Sequence, residues 1–197
     1  MAAVTDNFDG YNDGDLNGQG SWTGGTSFDV QGTVKQAGTK AVSGSGAAEE
    51  VTKAFSAGVA TGNQQFYMRR DNKGSGDFTI RMSEGGTRKI IFGNSLDRGY
   101  DGNFAYYSGT GWTDTGVAFN DDTWYKCRIE WRDSDKKARY YVNDVLAVDW
   151  DNTIQSFTTD IDGIILKKDN LSGDTIYADS FSVYSPSVDT GNFFQFF

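Results

Sequence analysis

The chain of 197 residues is 37% hydrophobic and 23% charged, which suits one domain with a sizeable core and leaves little room for a second. It has no His and a single Cys, which excludes His-based triads, H-E-x-x-H zinc sites, intrachain disulfides and Cys-cluster metal sites. A net charge of −9 with no basic run longer than a pair would repel a phosphate backbone, so no nucleic-acid partner is expected.

The opening residues Met1, Ala2, Ala3, Val4 and Thr5 lack the basic flank and apolar core of a Sec signal peptide, and no run approaches the roughly 20 apolar residues of a membrane helix. No membrane partner is expected. Residues 10–27 are rich in Gly, Asn and Asp around one large anchor, Trp22, and residues 32–46 are similarly loose, with short strands predicted at 28–31 and 40–42. From residue 64 onward apolar and polar residues alternate, which predicts strands over 64–71, 77–84, 88–93, 103–108, 123–131, 160–168 and 175–184. In the 123–131 strand Tyr125, Cys127, Ile129 and Trp131 share the core face. Residues 138–143 and 145–150 read as a hairpin about Asn143 and Asp144, two residue types that tolerate positive φ. So many short strands with no helical stretch predict an all-β sandwich or barrel.

After Pro186 the pattern stops, and Phe193, Phe194, Phe196 and Phe197 place four Phe in the last five residues. Such an end is an aggregation hazard in water. It either folds back on its own domain or docks into a neighbouring subunit as an assembly arm, and the apparent completion of the domain at Tyr184 favours docking. The expected organisation is a domain over 1–186, with its core in 6–184, followed by an aromatic arm over 187–197.

Several short runs carry a family resemblance. They are Asp6-Asn7-Phe8-Asp9-Gly10-Tyr11, Asp13-Gly14-Asp15-Leu16-Asn17-Gly18-Gln19, Phe28-Asp29-Val30-Gln31, Gly38-Thr39-Lys40-Ala41-Val42, Thr123-Trp124-Tyr125-Lys126, Tyr141-Val142-Asn143-Asp144 and Ile176-Tyr177-Ala178-Asp179-Ser180-Phe181. Together, over residues 6–184, they resemble the concanavalin A-like, laminin-G-type jelly roll. The resemblance implies an antiparallel two-sheet sandwich. It speaks less to function, because this superfold hosts lectins, glycanases, lyases and virion modules.

Glycanases of that superfamily carry carboxylates at alternating positions of one concave strand, flanking the glycosidic bond. The strands taken as concave here, 65–70 and 78–84, hold no such pair, and the His of related lyases is missing. The pairs Asp149/Asp151 and Asp160/Asp162 sit beside turns, where Asp caps or solvates the chain. Glu130 and Asp133 fall on opposite sides of a strand. Catalysis is therefore not expected, and neither Glu84 nor Glu130 is assigned a role in hydrolysis.

Asp179 shares parity with Tyr177, Phe181 and Val183, read as core-facing, and a buried carboxylate needs a cation or several donors. The resemblance implies a structural Ca²⁺ on Asp179 with main-chain oxygens near Asp9 and Gly38, in keeping with an all-oxygen site. The alternative is a hydrogen-bonded carboxylate, or a strand parity broken by a bulge. The run from Asp13 to Gly18 matches half an EF-hand loop but has Gly24 at the position of the bidentate Glu, so it reads as a turn. A glycan site needs rings to stack on pyranose faces and amides or guanidiniums to bond hydroxyls; the candidates are Tyr67, Arg69, Arg81, Tyr107 and Trp112, weighed against an ordinary amphipathic outer face. Cys127 is an inert core thiol. The resulting expectation is a non-enzymatic virion or surface structural protein, of decoration or fibre type, that adheres to glycans and assembles with itself or other subunits. Its expected location is a virion surface or the extracellular space. A secreted carbohydrate-binding module, or a glycoside hydrolase or polysaccharide lyase, stand as alternatives.

Overall fold

A computed structural model describes residues 2–72, 76–95, 102–152, 160–169 and 171–185. The aromatic run at Phe193, Phe194, Phe196 and Phe197, with the assembly arm and the domain boundary expected there, lies outside the described residues. Within them the chain is all β, in two antiparallel sheets.

The nine-stranded sheet runs in the order β14 (Val145–Asn152), β13 (Lys137–Val142), β12 (Tyr125–Arg132), β7 (Gly62–Arg70), β16 (Leu171–Tyr184), β5 (Ala41–Gly46), β4 (Phe28–Gln31) and β2 (Gly14–Asp15), with β1 (Ala2–Asp6) also paired to β16. The seven-stranded sheet runs β11 (Trp112–Ala118), β10 (Asn103–Tyr107), β9 (Thr87–Ser95), β8 (Asp77–Glu84), β15 (Ile161–Asp169), β6 (Glu49–Val59) and β3 (Trp22–Gly24). Neighbours distant in sequence, such as β7 beside β16 and β8 beside β15, make the crossovers of a jelly-roll sandwich.

Alternation dictates what fills the space between the sheets. Tyr125, Cys127, Ile129 and Trp131 of β12, Phe66 and Met68 of β7, Phe78, Ile80 and Met82 of β8, and Phe104 and Tyr106 of β10 all point inward and are buried. Rings from both sheets meet there, Phe92 of β9 stacking on Tyr140 of β13 at 5.1 Å, while within the nine-stranded sheet Phe66 stacks on Phe181 of β16 at 5.8 Å. The β13–β14 turn has Asn143 at φ 50° and Asp144 at φ 64°, the left-handed pair that a two-residue hairpin needs.

Two features differ from the sequence expectation. The strands 65–70 and 78–84, taken as parts of one concave sheet, belong to different sheets as β7 and β8. The parity of β16 also breaks: Ile176 and Ala178 point inward with Tyr177 outward, the register shifts between Asp179 and Ser182, and Phe181 and Val183 then point inward. Ser180, at φ 52°, makes that bulge.

Candidate functional site

The outer faces of the two sheets are unlike. On the nine-stranded sheet the outward residues of β7, β12 and β13 are half-exposed, in strict alternation with buried inward ones. On the seven-stranded sheet Thr79, Arg81 and Ser83 of β8, Ile91 of β9 and Ile165 of β15 point away from the core and are nevertheless 5% exposed or less. The central residues of this second face are the more deeply buried.

Arg81 lies at its centre, paired in register with Ile91 on one side and Ile165 on the other. Its Nε donates to Thr79 Oγ1 at 3.0 Å, while its terminal nitrogens reach only Glu50 (3.9 Å) and Asp169 (4.0 Å), too far for hydrogen bonds. Burial pushes its guanidinium below the ordinary arginine range, Arg88 adds to that shift, and the charges of Asp169, Glu50 and Asp77 oppose it. Asp77 and Asp169 are direct register partners across β8 and β15, and opposed residues of antiparallel strands have Cβ atoms ~4.5–5.5 Å apart. Asp77 is buried, while Asp169 is partly exposed and ion-paired with Lys167 at 3.1 Å. Two facing carboxylates, a third from Glu50 and the Arg81 guanidinium thus share one face of the sheet. Tyr107 and Trp112, in edge contact at 5.8 Å, lie toward the β10–β11 edge of the same sheet.

The structure therefore divides the glycan candidates. Arg81, Tyr107 and Trp112 belong to the seven-stranded sheet, and Tyr67 and Arg69 to the outer face of the nine-stranded one, where Arg69 pairs with Asp122 and lies 5.0 Å over the Tyr177 ring. Asp77, Asp169 and Glu50 escaped the sequence reading because the pair is made between strands rather than along one. The available signal was parity: 77, 79 and 81 alternate together, and 169 falls one residue past the predicted 160–168 strand.

Acidic residues elsewhere in the fold are also held by structural partners. Asp151 accepts from Tyr106 Oη at 2.6 Å, Asp162 accepts from the Gly85 N–H at 2.9 Å, and Glu130 is held by Arg128 and Arg139. Asp15 accepts from the Asn17 N–H at 2.8 Å, the turn expected of the half EF-hand run. Cys127 is fully buried, and desolvation pushes its thiol well above the usual range.

Asp9, Gly38 and Asp179 do meet at one turn, residues 36–40. Asp179 Oδ2 accepts from the N–H groups of Gln36 (2.9 Å) and Ala37 (3.1 Å), and Asp9 Oδ1 from those of Thr39 (2.7 Å) and Lys40 (3.0 Å). Gly38, at φ 61°, has no room for a Cβ, which would sit 2.3 Å from Asp9 Oδ2. Asp179 Oδ1, bonded to the Ser180 hydroxyl at 3.1 Å, is the oxygen a hard cation would take, with further ligands required from main-chain carbonyls. Among the described residues no group of three or more His, Cys, Asp or Glu side chains is placed to hold a metal.

No family model and no curated protein matches the chain. Solved structures do. A sialidase aligns over 95% of this chain at 10% identity with a TM-score of 0.74, but the chain covers only 19% of it. The catalytic domain of a glycoside hydrolase family 131 protein from Coprinopsis cinerea aligns over 95% of this chain and 96% of its own, at 14% identity and a TM-score of 0.63. Domain 4 of AbnA, a GH43 extracellular arabinanase from Geobacillus stearothermophilus solved with arabinotriose, aligns over 94% and 92%, at 16% identity and a TM-score of 0.62. The expectation of a non-enzymatic module is corrected here: a sandwich of this extent is a catalytic domain in the family 131 protein, and vacant carboxylate positions along single strands do not exclude acid pairs between strands. At these identities the likeness establishes architecture, and the chain is a concanavalin A-like, antiparallel two-sheet jelly roll.

Proposed function

We propose that this protein binds a glycan across the outer face of the seven-stranded sheet and cleaves it with the Asp77–Asp169 pair. The observation that carries the reading is the direct opposition of these two carboxylates beside the under-bonded guanidinium of Arg81. Asp77, the buried member of the pair, takes the role of proton donor, and Asp169, ion-paired with Lys167, that of nucleophile. Asp77 protonates the leaving glycosidic oxygen as its bond to the anomeric carbon breaks, and Asp169 forms a bond to that carbon. Water then displaces Asp169 and returns a proton to Asp77. Direct opposition across β8 and β15 puts both side chains within reach of one glycosidic bond, as the paired carboxylates of glycosidases require. Arg81 and Glu50 orient the sugar hydroxyls, and Tyr107 with Trp112 offers rings near one edge.

The sialidase, arabinanase and family 131 hydrolase likenesses support carbohydrate as the ligand class. The test is reducing-end release from β-glucan, arabinan and mucin glycans. Asp169→Asn and Asp77→Asn should each lower release by at least ~10²-fold, the scale of a lost acid–base group, with melting temperature retained. Release by neither the protein nor its variants, or equal release by all three, overturns the hydrolytic reading.

A further inference from the structure

The outer face of the nine-stranded sheet carries two open cavities of about 340 Å³ each. The first is lined by Asn7, Gln65, Tyr67, Ser180 and Ser182, and the second by Asn63, Glu130, Arg132 and Trp150. They are joined by one strand: Asn63, Gln65 and Tyr67 are successive outward residues of β7. Alternate strand residues repeat every ~6.6–6.8 Å, so the row spans about 13 Å, the reach of two to three sugar units.

The chemistry of the row is that of a site rather than of a solvated face. Among the described residues the side-chain amides of Asn63 and Gln65 take no hydrogen-bond partner in the protein. Gln65 is flanked in register by Ser182 and by Arg128, whose buried Nε also lacks a partner. Arg128 is held against the Tyr141 ring at 3.9 Å, and Arg132 against Trp150 at 4.0 Å. Glu130, bonded by Arg139 at 2.6 Å and paired with Arg128 at 3.1 Å, offsets their charge. Hydroxyls and unpartnered amides between a ring at each end, with charges paired off, match the hydroxyls and apolar ring faces of an uncharged glycan. A polyanion would need unpaired cations.

We infer that the outer face of the nine-stranded sheet is a second, non-catalytic glycan-binding site, in which Asn63, Gln65 and Tyr67 hold a stretch of polysaccharide on the side of the molecule opposite the Asp77–Asp169 pair. The inference rests on the glycan reading of the protein but not on its catalytic step. It is tested by retardation in native gels containing β-glucan, arabinan or mucin, with the full chain, Asn63→Ala/Gln65→Ala and Asp169→Asn. Retardation is expected in at least one polymer gel, unchanged by high salt and by Asp169→Asn. The double variant should lose it by ten-fold or more while keeping the wild-type melting temperature and the wild-type rate on a soluble trisaccharide. No retardation in any of the three gels, retardation that survives the double variant, or retardation abolished by salt overturns the inference. Loss of retardation in Asn63→Ala/Gln65→Ala with cleavage of the soluble trisaccharide intact separates the two sites; absence of cleavage in every sample removes the catalytic reading alone.

Discussion

Asp179 is buried although it lies at a bulge and not on the core side of its strand, and desolvation holds its carboxyl above the ordinary range despite the N–H groups of Ala37 and Gln36 that oppose the shift. Ionised, it is a cost to the fold that a cation at Oδ1 would offset. We propose Ca²⁺ there on that ground, with a defined test. A ligand bound only to the native state stabilises it by about 2.7 kcal/mol at a hundredfold excess over its dissociation constant. Chelator should therefore lower the melting temperature of the wild type and leave Asp179→Asn unmoved. Identical wild-type curves with and without chelator would remove the ion. The sequence located the three residues at this turn but misjudged the reason Asp179 is buried: parity counted along β16 is blind to the extra residue at Ser180, whose positive φ is not a property Ser announces.

β6 shows why an element can be missed and what holds it in place. Its inward positions are Val51, Lys53 and Phe55, and a Lys in the core set disguises the alternation. Lys53 is placed there by Asp6 at the end of β1: Lys53 Nζ (2.7 Å), Trp22 Nε1 (2.8 Å), Tyr11 Oη (2.7 Å) and the Phe8 N–H (3.0 Å) all donate to its carboxylate. One buried charge pair thus fastens β1, β3 and β6, elements from both sheets, and neither partner is legible as such until the fold joins residues 47 positions apart. Removing one member of a buried pair strands the other, at about 3–5 kcal/mol. Lys53→Met should destabilise on that scale in urea unfolding, and Lys53→Met with Asp6→Asn should recover part of the loss; additive losses in the double variant would show that the pair is not coupled. The strands with clean alternation, β7, β8, β12 and β13, were legible to within two or three residues. β11, which keeps no apolar face, was not, and the Asp77–Asp169 opposition was hidden because register between strands is a tertiary property.

Across the whole molecule, three tyrosines tie separate regions to one cooperative stability. Tyr11 hydrogen-bonds Asp6 in the N-terminal loop, Tyr106 donates from β10 to Asp151 at the end of β14, and Tyr140 is buried against Phe92 between the sheets with no partner for its hydroxyl. Desolvation raises all three; the hydrogen bond to Asp151 contributes to taking Tyr106 up to about 12, and the charges of Tyr106 and Asp151 add to the burial of Tyr140. For a group whose folded value lies above its unfolded one, the contribution to stability is intact below the unfolded value, near 10, and is lost as pH climbs toward the folded value. The unfolded chain releases protons that the folded chain keeps. Stability should therefore fall above pH ~10, by up to about 1.4 kcal/mol per pH unit for the fully buried Tyr140 and by less for Tyr11 and Tyr106, which solvent partly screens, and the loss should appear as global unfolding rather than local fraying. Tyr140→Phe removes one of the three and deletes a hydroxyl that bonds nothing. It should cost no stability at neutral pH and should flatten the alkaline decline, measured as urea-unfolding free energy from neutral pH into the alkaline range. Parallel pH curves for the variant and the wild type would show that Tyr140 ionises as readily folded as unfolded, and that its burial between the sheets is not what the core geometry requires.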